Sequence, residues 1–394
     1  MEVTAPRTAP VVLAGFCSFL GLYATQPLLP LLEAVFHATH TRVTLTVTAA
    51  TIAVAIAAPF MGQIADRIGR KRVIVTCAAL LGITTLLAAT SPTLDSLLVW
   101  RFLQGLVTPG VFAITIAYVN DEWPAARAGS AVAAYVSGTV LGGFSGRVVS
   151  GLAAQYFGWR WSFIILGAMA LAISLILAWG LPLERRRHPK AHGILRSAFG
   201  HLTDGRLAAT YLGSFCVLFT QVALFTYVTF YLAAPPYGLA PGALGAIFAV
   251  YLVGAAVTPL AGRGIDRFGH RAAVLFACVL SSGGALISLG SPLFAVLSGL
   301  TLASCGVFIA NSAATSYIGT VAQQGRALAV GIYVSCYYIG GSAGASGPGW
   351  IWQNFGWTGV VALIVCVQIA LALVALLNWS SHPTPKFFSR DLSK

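Results

Sequence analysis

Long apolar stretches separated by short polar ones divide the whole chain into segments of membrane-spanning length. Because a helix needs about 20 apolar residues to cross a bilayer, hydropathy predicts an all-α membrane protein with twelve spans. The first six spans cover about 10–33, 44–63, 73–90, 95–120, 128–153 and 159–181. The second six cover about 207–233, 240–262, 272–290, 293–318, 326–352 and 356–379.

One long polar stretch separates the two sets of spans. It opens with Glu184-Arg185-Arg186-Arg187-His188-Pro189-Lys190, a composition typical of a linker. The sequence therefore predicts an N-terminal half over 1–182, a linker over 183–206 and a C-terminal half over 207–394. The first apolar run is too long for the core of a signal peptide, so we expect it to remain as the first span.

Composition supports this assignment and narrows the function. Only 8% of the 394 residues are charged, against roughly 25% in soluble domains, so the chain cannot cover a soluble surface. The net charge is +13, but the basic residues lie between apolar runs, which argues against a nucleic-acid partner. The seven cysteines lie in apolar stretches without metal-ligand spacing, and we expect neither a metal nor a cofactor.

The basic residues are distributed unevenly over the predicted loops. If the N-terminus is cytoplasmic, 19 of the 23 lysines and arginines fall on the cytoplasmic side. Cytoplasmic loops normally hold such an excess. The sequence thus predicts that both termini are cytoplasmic.

The two halves are related to each other in sequence. Residues 135–159 match residues 333–357 at an offset of 198, with eleven identities in 25 positions. The pattern Gly62-x-x-x-Asp66-Arg67-x-Gly69 recurs as Gly262-x-x-x-Asp266-Arg267-x-Gly269 at an offset of 200. Six spans separate equivalent points, so the copies share one topology and are related by an axis along the membrane normal. A cavity between two such halves is typical of transporters.

Several motifs resemble those of the major facilitator superfamily, and the resemblance covers essentially the whole chain. They are Gly62-Gln-Ile-Ala-Asp66-Arg67-Ile-Gly69-Arg70-Lys71-Arg72, similar to the signature loop between helices 2 and 3, and Arg101-Phe-Leu-Gln104-Gly105, similar to the helix 4 motif. Three further stretches resemble the YnfM-type bacterial inner-membrane exporters, a group often placed with sugar and drug efflux permeases: Gln26-Pro27-Leu-Leu-Pro30, Gly142-Gly143-x-x-Gly146-Arg147 and Ser-Tyr317-Ile-Gly319. The resemblance implies the bacterial inner membrane.

The resemblance also implies a gate at the cytoplasmic ends of the helices. Asp66 would engage the positive start of predicted helix 11, and Arg70 would pair with Asp121 or Glu122. The residues assigned to this gate are Gly62, Asp66, Arg67, Gly69, Arg70, Lys71, Asp121, Glu122, Asp266 and Arg267. The alternative is that the basic residues are ordinary membrane anchors. The second copy has His270-Arg271 in place of the arginine-lysine pair, so its gating role is the weaker expectation.

Two arginines, Arg101 and Arg147, lie inside predicted spans. A charge at the bilayer centre costs about 2.5 to 3.5 kcal/mol on insertion scales and normally faces a cavity or a partner. We therefore expect both on the cavity wall, binding an anionic or polar solute. The alternative is that each extends its charge to the outer interface.

Uncharged polar residues within the spans complete the predicted cavity. Two tyrosine pairs spaced four apart share a helix face, and a tyrosine wall suits an amphipathic solute. The remaining candidates are Gln26, Gln104, Gln221, Tyr227, Tyr231, Asn311, Tyr333 and Tyr337. Packing between helices is the alternative for each of them.

The candidate for proton coupling is Glu33, because no acid or histidine lies in the middle of a predicted span. Glu33 is at the outer end of the first span, where it is placed to pair with Arg101 or Arg147 and to exchange a proton when the cavity faces outward. The alternative is a hydrated residue at a helix end.

We therefore expect a secondary active transporter, not an enzyme, that moves a small organic solute by alternating access and couples its efflux to protons. It would act as a monomer among membrane lipids. The alternatives are a proton-independent uniporter of a polar or anionic solute, a membrane-embedded enzyme and a lipid scramblase. An ATP-driven pump is excluded because the sequence has no G-x-x-x-x-G-K-[ST] loop.

Overall fold

The computed structural model describes residues 8–184, 205–322 and 326–379, which fold almost entirely into helices and contain no strand. The N-terminal half contains α1 (Ala9–Leu20), α2 (Leu29–Phe36), α3 (His40–Ile68), α4 (Arg70–Ala88), α5 (Leu94–Glu122), α6 (Ala125–Phe157) and α7 (Trp159–Gly180). The C-terminal half contains α8 (Gly205–Ala233), α9 (Pro241–Ile247), α10 (Val250–Ile287), α11 (Leu293–Val321), α12 (Arg326–Ser346) and α13 (Gly349–Asn378). The predicted all-α fold is confirmed. Residues 185–204 of the predicted linker lie outside the described residues.

By length and apolar composition, nine helical segments of the described residues could cross a membrane, against twelve predicted spans. Three predicted spans account for the difference. The first is split into two shorter apolar helices, and the eighth and ninth form one unit of 47 residues, Pro241–Ile287. The fifth corresponds to α6, a helix of 33 residues that is not among the nine.

The prediction of one continuous first span was wrong, because regular α-helical hydrogen bonding ends at Leu20 and gives way to turns with bonds between residues three apart. A single 3-10 turn follows at Gln26–Leu28, and α2 begins only at Leu29. Proline has no N–H to continue a helix and is favoured in its first turn. Pro27 and Pro30 take such positions in the 3-10 turn and in α2. The break leaves backbone carbonyl groups within the bundle that need other partners.

The signature motif is mostly helix rather than loop, which corrects the sequence prediction. Gly62, Asp66 and Arg67 lie in the last turns of α3, and the chain reverses at Gly69, where φ is 106°. Side chains with a Cβ rarely adopt positive φ, so glycine is favoured at this position. The second copy behaves alike, since Gly269 has φ 83° and bends α10 there.

The two ends of the helix bundle differ in how the halves pack. We call the end near Gly69 the signature end and the end where α2 meets α3 the closed end. At the closed end, one hydrophobic core joins Leu32 and Phe163 of the N-terminal half to Phe225 and Trp357 of the C-terminal half. Toward the signature end, each half has a core of its own among the described residues. The halves are therefore held together most extensively at the closed end.

Two seams between the halves extend to different depths from the closed end. Along α3 and α12, the hydroxyl groups of Thr51 and Ser342 are 2.8 Å apart. Gly331 lies beside Pro59, which is about 28 Å along α3 from its first residue at 1.5 Å per residue. Along α6, the contacts to α9 and α10 reach Arg147, about 15 Å from the end of that helix.

Candidate functional site

Arg101 is fully buried and bonded to the protein itself. Its Nε donates to the carbonyl of Thr46 at 2.9 Å, and its Nη1 donates to the carbonyl of Gly21 at 2.8 Å. Nη1 also bonds the Gln104 side chain, and Nη2 donates to the carbonyl of Leu22. Two of these carbonyls belong to the break after α1: that of Gly21 also accepts the Ala24 N–H at 3.3 Å, and that of Leu22 lies where regular α-helical bonding has ended.

These bonds favour a bracing role for Arg101 over the predicted solute contact. Four hydrogen bonds occupy the guanidinium group, and three of them go to backbone carbonyls. Gln104 is 2% exposed and donates to the Thr85 hydroxyl at 3.1 Å, so it is bonded on both sides. The pair fixes the broken first span against α3, α4 and α5.

Arg147 is also buried, but it lies between the two halves. Its Nε donates to Oε1 of Gln26 at 2.9 Å, and its Nη1 donates to the carbonyl of Gly143 at 2.7 Å. Gln26 in turn donates to the hydroxyl of Thr226 on α8 at 3.0 Å. A chain of hydrogen bonds thus runs from α6 through the broken first span into the C-terminal half.

Three aromatic rings surround the Arg147 guanidinium. Its Cζ lies 4.9 Å from the ring centre of Tyr23, 4.5 Å from that of Phe248 and 5.0 Å from that of Tyr251. Ring faces attract a cation at such distances. The ion pairs found among the described residues do not include Arg147, and a buried charge without an opposite charge is costly. We call Arg147, Gln26 and these three rings the arginine cage.

More tyrosines lie next to the cage. The Gln221 side chain lies close to the Tyr251 hydroxyl. Tyr337 lies near Tyr23 and Tyr251, and it stacks on Tyr333 with ring centres 6.4 Å apart. The structure therefore brings Gln26, Arg147, Gln221, Tyr333 and Tyr337 into one neighbourhood. Asn311 is half-buried on α11, one turn before Thr315, whose hydroxyl lies 3.2 Å from that of Tyr333.

Two predicted cavity tyrosines belong instead to closed-end packing, and this corrects the sequence prediction. Tyr227 is fully buried and donates to the carbonyl of Ala345 at 2.9 Å. Tyr231 stacks on Trp357 with ring centres 5.4 Å apart. Tyr227 and Tyr231 share a helix face, as predicted, but that face packs in the closed-end core.

Glu33 has a different partner from those expected, so its predicted pairing with Arg101 or Arg147 was wrong. Its Oε2 lies 2.7 Å from Nδ1 of His40 at the closed end. The His40 ring meets Phe230 edge-on, with centres 4.9 Å apart. Sequence reasoning missed this histidine because α2 and α3 are separated only by a short turn, whose path the hydropathy pattern does not specify.

The rings of the cage were also missed. Tyr23 lies three residues before Gln26 within the same break, so proximity to the motif was an available signal. Phe248 and Tyr251 lie where α9 passes into α10, and no pattern in the sequence distinguishes them from other aromatic residues of the spans.

A comparison with protein families identifies the chain. The model described as Major Facilitator Superfamily matches residues 11–239 and 211–391. The chain belongs to the major facilitator superfamily. This confirms the resemblance drawn from the motifs, and it makes the protein a transporter of a small-molecule solute rather than an enzyme.

Two curated relatives support the assignment. An uncharacterized MFS-type transporter, YybF of Bacillus subtilis, is 33% identical over 354 residues, covering 89% of this chain and 88% of its own length. The inner membrane transport protein YnfM of Escherichia coli is 32% identical over 364 residues, covering 92% and 87%.

Solved structures share the major facilitator fold at low sequence identity. A bacterial homologue of the human lysosomal transporter Spinster, inward-facing and unoccupied, has a TM-score of 0.71 at 15% identity and covers 94% of each chain. A mutant of the nucleoside transporter NupG has a TM-score of 0.76 at 15% identity, covering 95% of this chain and all of its own. At this identity the likeness concerns the fold alone.

The superfamily signature forms a polar network at the signature end. Arg70 forms an ion pair with Asp121, one of the two acids that the resemblance offered, and donates to the carbonyl of Ala117 at 2.6 Å. The Lys71 backbone N–H donates to Oε1 of Glu184 at 2.6 Å. Glu184 was not predicted as a gate residue, although it is the first acid after the sixth span.

The contact predicted between Asp66 and the start of α12 stays a prediction, because residues 323–325 lie outside the described residues. In the second copy, an offset of 200 places Val321 where the first copy has Asp121. His270 packs against the ring of Tyr317 with centres 5.3 Å apart, and Arg267 lies over its neighbour Phe268. The second copy therefore cannot form the arginine-aspartate pair.

Replacing Arg101 tests the bracing role. We expect Arg101→Gln to destabilise the transporter by at least about 2 kcal/mol, because buried carbonyl groups left unpaired cost about 1 to 3 kcal/mol each. The measurement is the melting temperature of the purified protein, with Arg127→Gln at an exposed site as the control. A melting temperature equal to that of the control, together with lost solute binding, would instead support the cavity role.

A charge exchange tests the signature ion pair. Arg70→Asp and Asp121→Arg should each reduce transport about tenfold, since each places like charges together in a partly buried site. The double exchange should restore a substantial part of the flux. Arg72→Asp, at an exposed neighbouring position, is the control. Flux in the double variant that equals the lower single variant would show that the pair does not matter.

Proposed function

We propose that this transporter exports a small organic anion across the cytoplasmic membrane and that the anion binds at the arginine cage. The observation that carries the proposal is the buried Arg147 guanidinium, which has aromatic rings on several sides and no carboxylate in the ion pairs of the described residues. A low-dielectric site strengthens attraction for an anion, so a negatively charged solute group would offset the cost of burying this charge.

The surroundings of the cage suggest the shape of the solute. Tyr23, Tyr251 and Tyr337 offer ring faces as well as hydroxyl donors, and Gln221 adds an amide. Such a lining suits a carboxylate, sulfonate or phosphate attached to a flat or apolar body. Both halves contribute side chains, so a bound anion would contact the two bodies that move in alternating access.

The packing of the halves supports an inward-facing state. The shared core at the closed end and the separate cores at the signature end would let the halves part on the signature side, where a smaller core between Tyr23 and Tyr338 covers the buried cage. The shorter seam along α6 and α10 would provide the path to Arg147. Among the described residues, most lysines and arginines lie near helix ends on the signature side, which by the positive-inside rule supports a cytoplasmic location for that end and for both termini.

The Glu33–His40 pair is the proposed site of proton coupling. Both side chains are already about a third exposed at this end, and opening the closed end would also withdraw Phe230 from His40. The other charged groups of this end among the described residues are His37, which caps α2, the Arg42–Asp95 ion pair at 2.6 Å, and Arg160, which donates to the carbonyl of Ser91. In this scheme, proton entry and anion exit alternate at opposite ends of the bundle.

A proton-independent uniporter is the second candidate. It is favoured by the position of the acids, because those of the described residues lie at or near helix ends rather than beside the cage.

A flux assay in proteoliposomes tests the anion site. With a panel of sugars, organic anions and lipophilic cations, we expect transport of an organic anion, and Arg147→Gln should lower kcat/KM about 10- to 100-fold because charge-assisted hydrogen bonds are lost. Arg147→Lys should retain only part of the wild-type kcat/KM, since lysine keeps the charge but lacks the planar set of donors of a guanidinium group. Arg160→Gln is the matched control, as Arg160 lies over Trp159 outside the cage. Wild-type anion flux in folded Arg147→Gln, or transport of cations alone, contradicts the proposal.

The same vesicles with an imposed pH gradient and an internal pH dye test coupling. Addition of the transported anion should collapse the gradient in the wild type but not in Glu33→Gln or His40→Gln, which retain anion exchange. Asp95→Asn removes an exposed carboxylate at the same end and should behave as the wild type. Anion movement without collapse of the gradient in the wild type would establish the uniporter instead.

A further inference from the structure

A second site of positive charge lies at the signature end of the C-terminal half. A cleft of about 610 Å³ is bordered by the first turn of α8, by Arg271 of α10 and by the last turn of α13. Arg206 and Arg271 are its basic side chains, and the described residues that line it include no acid. Arg271 lies 20 residues beyond Tyr251 of the arginine cage on α10, about 30 Å along the helix, and the cleft belongs to one half only.

In the N-terminal half, the position that corresponds to this cleft binds an anion. There, the Glu184 carboxylate accepts the N–H of Lys71 in the first turn of α4 at 2.6 Å. Its Oε1 lies 3.1 Å from the position a Cβ on Gly69 would take. The first N–H groups of a helix have no partner within the helix and attract anions. In the first copy, the chain supplies that anion itself.

The second copy keeps the glycine and a cation but not the acid. At an offset of 200, Gly269 corresponds to Gly69, with φ 83° against 106°, and Arg271 corresponds to Lys71. The same offset places Thr384 opposite Glu184 in the sequence. The position therefore retains one of the three cations of the first copy, at Arg271, while its anion is not encoded at the equivalent residue.

An independent observation also points to a ligand with acceptor oxygens. Trp379 lines the cleft, is 3% exposed and stacks on Tyr317 with ring centres 4.3 Å apart. Its indole N–H has no hydrogen-bond partner among the described residues. Buried donors are nearly always paired, so an acceptor from outside these residues is expected.

We propose that this cleft binds the phosphate headgroup of an anionic phospholipid. Arg206 and Arg271 contact the phosphate, and Trp379 donates its indole N–H. Leu377, which also lines the cleft, is 81% exposed and offers apolar surface to an acyl chain. This apolar neighbour favours a lipid over free phosphate, and helix ends lie at the depth of the headgroups, where basic residues attract anionic lipids.

Lipid titration of the purified full-length transporter tests the proposal. Native mass spectrometry measures bound phosphatidylglycerol, with phosphatidylcholine as the neutral comparison. The double variant Arg206→Gln/Arg271→Gln should bind phosphatidylglycerol about 25-fold more weakly, at about fivefold for each arginine. Arg263→Gln, an exposed arginine of the same half and the same end, is the matched control and should bind like the wild type.

Trp379→Phe keeps the ring and removes only the donor, so it should weaken binding by a smaller factor and provides a readout if the double variant does not fold. Unchanged affinity in either variant, relative to Arg263→Gln, overturns the proposal. Millimolar inorganic phosphate should not displace the lipid. Displacement would show a site for soluble phosphate and overturn the choice of a lipid.

Discussion

The structure depends on one constraint, which is that a membrane interior leaves no polar group to be satisfied by water. Two arginines and one broken helix lie within the bundle, and each needs partners from the chain. Arg101 meets the constraint through four hydrogen bonds, two of which go to carbonyls in the break after α1. The break thus supplies acceptors for the arginine, and the arginine supplies donors for the break.

Arg147 meets the same constraint differently. Amide, carbonyl and ring faces surround it, but these are dipoles and quadrupoles rather than an opposite charge. Both halves contribute to this surrounding, through Gln26 and Tyr23 on one side and Phe248 and Tyr251 on the other. The charge is thus placed where relative movement of the halves changes its environment, which is the property a transport site needs. Arg101 braces the segment that carries Gln26 and Tyr23, so it acts on the site by positioning it.

The sequence predicted the features that repeat or that depend on local pattern. The all-α fold follows from apolar length, and the pairing of Arg70 with an acid at the end of α5 follows from the signature motif. Features that depend on tertiary contacts could not be predicted from the sequence. Hydropathy does not reveal that the first span breaks, so the acceptors of Arg101 could not be foreseen. The four-residue spacing placed Tyr227 and Tyr231 on one face correctly, but the spacing says nothing about depth, and the closed-end core contains them both.

A cryo-EM map of the transporter with its transported solute bound would show directly whether Arg147 is the anion site. We expect the anionic group of the solute to lie within hydrogen-bond distance of the Arg147 guanidinium, between the rings of Tyr23 and Tyr251. A solute bound elsewhere, with the Arg147 guanidinium still bonded only to Gln26 and Gly143, would contradict this expectation.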